Sequence, residues 1–381
     1  MKKISDRILS WCDSPEESAI QQAKNIADHP FLIGNVCLMP DCHTGYGMPI
    51  GGVVALDGAV CPNMVGVDIG CGMLAMKTNI TEKPNKSLVN KIINDIYETI
   101  PVGFQWHSKK QDYTPLLCTH LPVVSKELDN LPYYIGTLGG GNHFIELQWG
   151  DDNHLWFMIH TGSRNLGKKV AEHYNKIAEE LCHRWHYDSL IANDLSVIPA
   201  GEDAFLAYWS EMQFCLDFAF DNRCRISSAV MSCIQKHIPY LVGEQLFTIH
   251  HNYCAIEHHY GKNVYVHRKG ATLARSGEVG IIPGSQGTAS YIVRGLGKEA
   301  SMYSCSHGAG RCMSRKKARE TLSIEKEAAF MDSNNIVHRI NSVESLDESH
   351  SAYKDIDTVM EQQKDLVEIS VKLQPLGVVK G

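Results

Sequence analysis

Six times in this chain a strand-like apolar run stops at a turn rich in glycine that carries histidine, cysteine or aspartate. Asp41 and His43 lie in the turn at 40–49, and Asp68 and Cys71 in the turn at 67–72. His143 follows Gly139, Gly140 and Gly141, and His160 ends the run 155–159. His251 follows 245–249, and His307 precedes Gly308, Ala309 and Gly310. One such turn is ordinary capping chemistry. Six of them restrict the chain to folds that carry their chemistry on strand ends.

The turn at 67–72 shows the logic most clearly. Gly66, Gly70 and Gly72 hem in an acid and a thiol three residues apart. Glycine reaches backbone angles closed to other residues and lets a ligand approach closely. A carboxylate and a thiolate from one tight turn suit a borderline or soft divalent metal such as Mn, Zn or Fe. Taken alone, the same residues read equally well as a buried cysteine beside a turn aspartate. The other five turns change that balance. Five or six N, S and O donors exceed the needs of one four-coordinate zinc. They fit two neighbouring metals with a shared thiolate, one to activate a nucleophile and one to hold a leaving oxygen.

Between the turns the pattern is α+β. Helical spacing is expected over 14–29, with Pro15 in the first turn, and over 84–99, ended at Pro101. The strongest helical segments are 168–187 and 202–237. The second carries Phe205, Tyr208, Trp209, Met212, Leu216, Phe218 and Phe220, an aromatic stripe that reads as a core face. The block 168–237 is therefore a helical insertion supporting the site. Strands are expected at 31–33, 36–39, 50–56 with a turn at Asp57-Gly58, 73–76, 245–249 and 264–267. The polar stretch 101–130 reads as surface loop.

Several classes are excluded. No apolar run spans a bilayer, and the first residues lack the core of a signal peptide, so a cytosolic protein with no membrane partner is expected. Thirteen cysteines in 381 residues would then be reduced, most of them small core residues. A formal net charge of −7 argues against a general nucleic-acid coat while leaving room for a local basic groove.

Phosphate chemistry has its own signals. Three successive glycines before Asn142 and His143 bring backbone N–H groups close to an anion. The loop Pro283, Gly284, Ser285, Gln286 after a strand is a common phosphate cradle. His307 with Arg311 four residues on, at a glycine turn opening a basic helix, suits a phosphoryl group. Arg164 and Arg315 add to this, although a basic run such as 314–319 is most often a solvated face. Lys380, beside the chain end, reads as a solvent lysine on these grounds. The residues thus describe a dinuclear metal enzyme acting on phosphoryl groups. Two rival readings are a metal-dependent phosphohydrolase or nuclease, and a catalytically silent RNA-binding protein.

The segments PDCHTGYGMPIGG, VGVDIGCG, GTLGGGNHFIE, HTGSRNLGK, HHNY, HRKGA, IIPGSQGTASYIV, SHGAGR, AYKDI and PLGVVKG resemble, in order, the RtcB family of RNA-splicing and RNA-repair ligases. The likeness runs from Pro40 to Lys380, with Gln286 where methionine is usual. It implies a single α+β domain over 1–381, with mixed sheets surrounded by helices. It implies GTP-dependent joining of RNA 3′-phosphate or 2′,3′-cyclic phosphate ends to 5′-hydroxyl ends, in RNA repair or tRNA splicing. His307 would be the nucleophile that takes up guanylate, a route that splits one hard transfer into easier ones. Asp68, Cys71 and His143 would hold one Mn²⁺, and Cys71, His160 and His251 the other. Asn142, His143, Phe144, Ile145, Glu146, His251, Asn252, Pro283, Gly284, Ser285, Gln286, Ser290, Gly308, Ala309, Gly310 and Lys380 match positions around the nucleotide. Asp41 would orient or activate near the metals or the histidine, and Arg164 and Arg311 would bind phosphate or the RNA end. Some members of the family use an archease-type activator.

Overall fold

The structure, a computed structural model, describes residues 1–115 and 121–381. Two large sheets organise it. A six-stranded sheet runs in the order Lys2–Ser5, Ile8–Ser10, Leu32–His43, Ile50–Leu56, Lys262–Lys269, Asn252–His259. Its one parallel pair among the described residues joins Ile8–Ser10 to Leu32–His43, which makes the sheet mixed. A seven-stranded antiparallel sheet runs Gly243–His250, Gly72–Thr78, Leu155–Thr161, Phe144–Gly150, Val367–Lys380, Ser290–Gly295, Val279–Ile282. The fold is α+β, as expected.

Register explains why distant turns meet. Across the seven-stranded sheet, Gly72 lies opposite both Thr161 and His250, and Phe144 opposite both His160 and Lys380. Side chains that follow or end these strands therefore emerge at one edge. Such register is strongly specified because a slip of one residue would turn the whole apolar set to the wrong face.

That apolar set builds the main core. Leu74, Ile145, Phe157 and Ile159 pack against Ile92 and Ile96 of the helix Lys86–Thr99 and against Ile226, Val230 and Ile234 of the helix Asp203–Gln235. The latter is 33 residues long and also sends Phe205, Tyr208, Met212 and Phe218 into a second core with the helix Leu166–Arg184. The aromatic stripe is a core face from Phe205 to Phe218, with Trp209 partly buried, whereas Phe220 is exposed. No helix among the described residues is long and apolar enough to cross a membrane.

Two local expectations change. The first helix is Glu17–Ala27, so Ser14 and Pro15 precede it; the carboxylate of Glu16 instead accepts from the Thr44 amide and hydroxyl. The runs 31–33 and 36–39 belong to one strand, Leu32–His43, with a register shift between Ile33 and Cys37. The turn at Asp57-Gly58 is present, Gly58 at φ +68°, and leads into Ala59–Val60, which pairs with Ile198–Pro199. Twelve cysteines are free thiols, all but Cys224 and Cys312 buried; Cys118 lies outside the described residues.

Candidate metal centre and nucleotide cavity

The six turns converge. The Sγ of Cys71 lies 3.3 Å from His143 Nε2 and 3.2 Å from His160 Nε2. His160 Nε2 is 3.4 Å from His251 Nε2, and Asp68 Oδ2 is 3.2 Å from His143 Nε2. Two triads result, Asp68–Cys71–His143 and Cys71–His160–His251, each with its donor atoms within 4.8 Å of one another. Cys71 belongs to both.

The tautomers suit a cation. His160 Nδ1–H donates to the Asn142 carbonyl at 3.1 Å, which leaves the Nε2 lone pair facing inward. Two imidazole nitrogens aimed at each other with a sulfur between them have no favourable arrangement without a cation or a proton to share. Burial, with the neighbouring imidazoles, depresses the pKa of His160 and of His251 far below the usual histidine value, so both rings are neutral and ready to ligate. Burial pushes the Cys71 thiol well up, so the ligating thiolate requires a positive charge beside it. The donor set of one carboxylate, one thiolate and three imidazoles fits transition ions rather than Mg²⁺.

His307 stands against this cluster, its ring 4.8 Å from that of His251. Its Nδ1–H and backbone N–H both donate to Asp41 Oδ2, at 2.7 and 3.1 Å. Asp41 is fully buried and thereby fixes the tautomer that frees His307 Nε2. The approach depends on Gly310, at φ +73°, where a Cβ would strike the carbonyl of Asp41. Gly70, at φ +80°, plays the same part for the metal turn, since a Cβ there would come within 2.8 Å of the Cys215 carbonyl.

A cavity of about 480 Å³ opens beside His307 and His160, within the range of ligand pockets. Asn142, Phe144, Glu146, Pro283, Gly284, Ser285, Gln286, Ser290, Gly308, Ala309, Gly310 and Lys380 line it. Phe144 and Glu146 share one strand face, with His143 turned to the metal side, as alternation requires. Burial raises Glu146 to about 8 despite its contact with Gln148 and the charge of Lys380. Lys380, expected in solvent on residue type alone, lies half-buried with Nζ 5.7 Å from the Phe144 ring.

Other candidates are placed differently. Ile145 is fully buried in the main core. The Asn252 amide accepts from Gly270 N–H and donates to the Asp68 carbonyl, tying two site turns together. Arg311 lines the cavity with its guanidinium engaged by Glu348 at 3.2 Å and by the Asp347 and Met313 carbonyls. Arg164 is buried behind His143, donating to Thr137 Oγ1 and to the Gly103 carbonyl.

Two sets of supporting residues escaped sequence reasoning. Asn222 bonds the backbones of Gly136, Thr137 and Gly162, while Arg223 donates to the Gly70 and Thr161 carbonyls. The long helix thus props up three site turns; its signal was a buried Asn-Arg pair amid an apolar stripe. Glu348, buried and paired with Arg311, Arg315 and Tyr353, gave none.

Fold and site together define a class: α+β proteins in which a buried thiolate–imidazole–carboxylate centre adjoins a histidine held by a carboxylate at the mouth of a ligand cavity. The profile of the family described as tRNA-splicing ligase RtcB matches residues 22–121 and 118–381, and the chain belongs to that family. It is 37% identical to the RNA-splicing ligase RtcB of Escherichia coli K12 over 96% of this chain and 95% of that protein. It is 31% identical to the tRNA-splicing ligase RtcB of Nanoarchaeum equitans over 99% and 94%. The Methanococcus maripaludis protein of the same name is 29% identical over 96% and 92%.

Proposed function

We propose that this protein is an RNA ligase, acting as one catalytic unit, that joins RNA 3′-phosphate or 2′,3′-cyclic phosphate ends to 5′-hydroxyl ends with GTP as a substrate. The pairing of His307 with buried Asp41, at the border of the two triads and the cavity, carries the reading. His307 Nε2, freed by the Asp41 bond to Nδ1, attacks the GTP α-phosphate. A P–N bond forms as the bond to pyrophosphate breaks. Asp41 then stabilises the charged ring, and His307 passes the guanylate to the RNA 3′-phosphate, giving an RNA-(3′)pp(5′)G end. The 5′-hydroxyl displaces GMP from that end to seal the strand; a cyclic end is first opened to the 3′-phosphate.

Asp68, Cys71 and His143 would hold one Mn²⁺ and Cys71, His160 and His251 a second, supplying Lewis-acid charge to the phosphates. Glu146, Phe144 and Lys380 would hold the guanine nucleotide, and the loop at Ser285 would meet its phosphates. Arg164 and Arg311 would bind phosphate or the RNA end. The likeness to relatives named RNA-splicing ligases supports this assignment, as do the neutral, inward-facing imidazoles. A cytoplasmic location and an archease-type activator go with it.

The test is incubation with α-labelled GTP and Mn²⁺. An acid-labile label should appear on the wild type and be absent from His307→Ala. An unlabelled wild type, a labelled variant, or Mn-dependent phosphate hydrolysis indifferent to GTP would overturn the reading, the last in favour of a phosphohydrolase.

A further inference from the structure

A second cavity, of about 840 Å³, lies on the other side of Asn142 and Lys380, which line both. Asp68 and His143 form part of its wall, whereas His160 and His307 face the first. The donor cluster therefore sits between two chambers. If the first takes the nucleotide, the second is the approach for the other reactant. At its rim stands Phe104, 97% exposed.

Phe104 is bare but not loosely held. Arg164 donates to the carbonyl of Gly103 at 2.9 Å, directly before it. Gln105 N–H bonds Val102 O at 3.1 Å, and Val102 bridges to Leu138. Trp106, two residues on, is partly covered: still 36% exposed, it packs on Tyr134 and its ring lies 4.6 Å from the Arg164 guanidinium. The turn thus covers part of one aromatic ring and leaves the other bare. The cavity wall also carries the cations Arg315, paired with Glu348 at 2.7 Å, and Arg339, stacked on the Tyr97 ring, together with the acids Asp68, Glu344 and Asp347. A bare aromatic ring on such a wall, beside a phosphoryl-transfer centre, is the kind of element on which a base of single-stranded nucleic acid stacks.

We infer that Phe104 is a stacking platform for the unpaired terminal base of an RNA end entering the second cavity, an inference that rests on the ligase reading above. It makes Phe104 a determinant of RNA affinity, acting on the base while the centre acts on the phosphate.

The test measures ligation KM on short single-stranded substrates, with the terminal nucleotide of the 3′-phosphate strand, of the 5′-hydroxyl strand, or of both made abasic. Phe104→Ala should raise KM for intact RNA about 5- to 100-fold, and Phe104→Trp should restore it. Removing the base from one strand should bring wild type and Phe104→Ala to the same KM, which identifies the strand that stacks. Equal KM values on intact RNA overturn the inference. So does a difference that persists when both ends are abasic, since the ring would then act through the fold. A wild type that joins no RNA overturns the ligase reading, and the inference with it.

Discussion

Two of the buried polar clusters in this molecule are built on opposite rules. Around Arg268, fully buried, every direction is answered. Its guanidinium meets Glu257 at 2.5 and 3.2 Å, Ser304 Oγ and the Met302 carbonyl at 2.9 Å each, and His259 completes Glu257 at 3.2 Å. Around Cys71 three imidazoles and a carboxylate converge on a thiol with like atoms facing one another. His143 Nδ1, His251 Nδ1 and Asp41 Oδ1 are buried without a partner. Burying a polar group is costly unless something answers it. The first cluster is answered from within the chain and is structural. The second calls for cations and substrate.

The largest effect that could break this contrast is at Asp41. Asp41→Asn keeps the shape but no longer enforces the Nδ1–H tautomer of His307. Guanylylation should fall on the order of 10²–10⁴-fold, as in other carboxylate–histidine pairs, with metal content intact. An unimpaired labelling rate would remove Asp41 from the chemistry. Next comes the structural cluster. Glu257→Gln leaves Arg268 buried and uncompensated and should cost about 3–5 kcal/mol in chemical denaturation. Adding Arg268→Met should recover much of that loss. If the single variant unfolds like the wild type, the Arg268 cluster is not a structural counterweight to the metal centre. Smaller is the expected effect of Cys71→Ala, which removes a ligand from both triads at once. Retained metal, read by elemental analysis after dialysis, should bind more than about 100-fold more weakly, beyond the loss typical of outer-shell changes. Two metals retained would show that the thiolate is not shared.

How far the sequence displayed this contrast depends on chain distance. The donor turns were legible because each carries its own signature: glycine beside histidine, cysteine or aspartate at the end of an apolar run. The strands were legible for the same reason, since alternation is local. What stayed hidden was set by partners far along the chain. Nothing near Asn252 shows that its amide clamps Gly270 to Asp68, and nothing near Glu348 shows that Arg311 and Arg315 neutralise it. Lys380 reads as solvent until strand pairing sets it opposite Phe144. The bulge that merges two strand pieces into Leu32–His43 likewise belongs to the pairing, not to the local sequence.

The smallest effect sharpens the comparison through its sign. Glu257 and Glu146 are both buried carboxyls. Burial works against ionisation of Glu257, but the charge and hydrogen bonds of Arg268 outweigh it and hold the carboxyl below its ordinary value. Its contribution is therefore present above the unfolded pKa and fades as pH falls through the folded one. Glu146 is the reverse, raised by burial from 4.5 to about 8. Folded protein keeps a proton that the unfolded chain has already released, so stability should fall as pH rises between those values. The slope is at most about 1.4 kcal/mol per pH unit. Glu146→Gln keeps an acceptor for Gln148 and removes the titration. Metal-free protein melted across this range should show a decline in the wild type and a flatter profile in Glu146→Gln, whereas Glu257→Gln should keep the decline. If the two variants share one pH profile, Glu146 is paired in the same way as Glu257. The nucleotide cavity would then hold no carboxyl kept neutral by burial, and the line between answered and unanswered clusters would have to be drawn elsewhere.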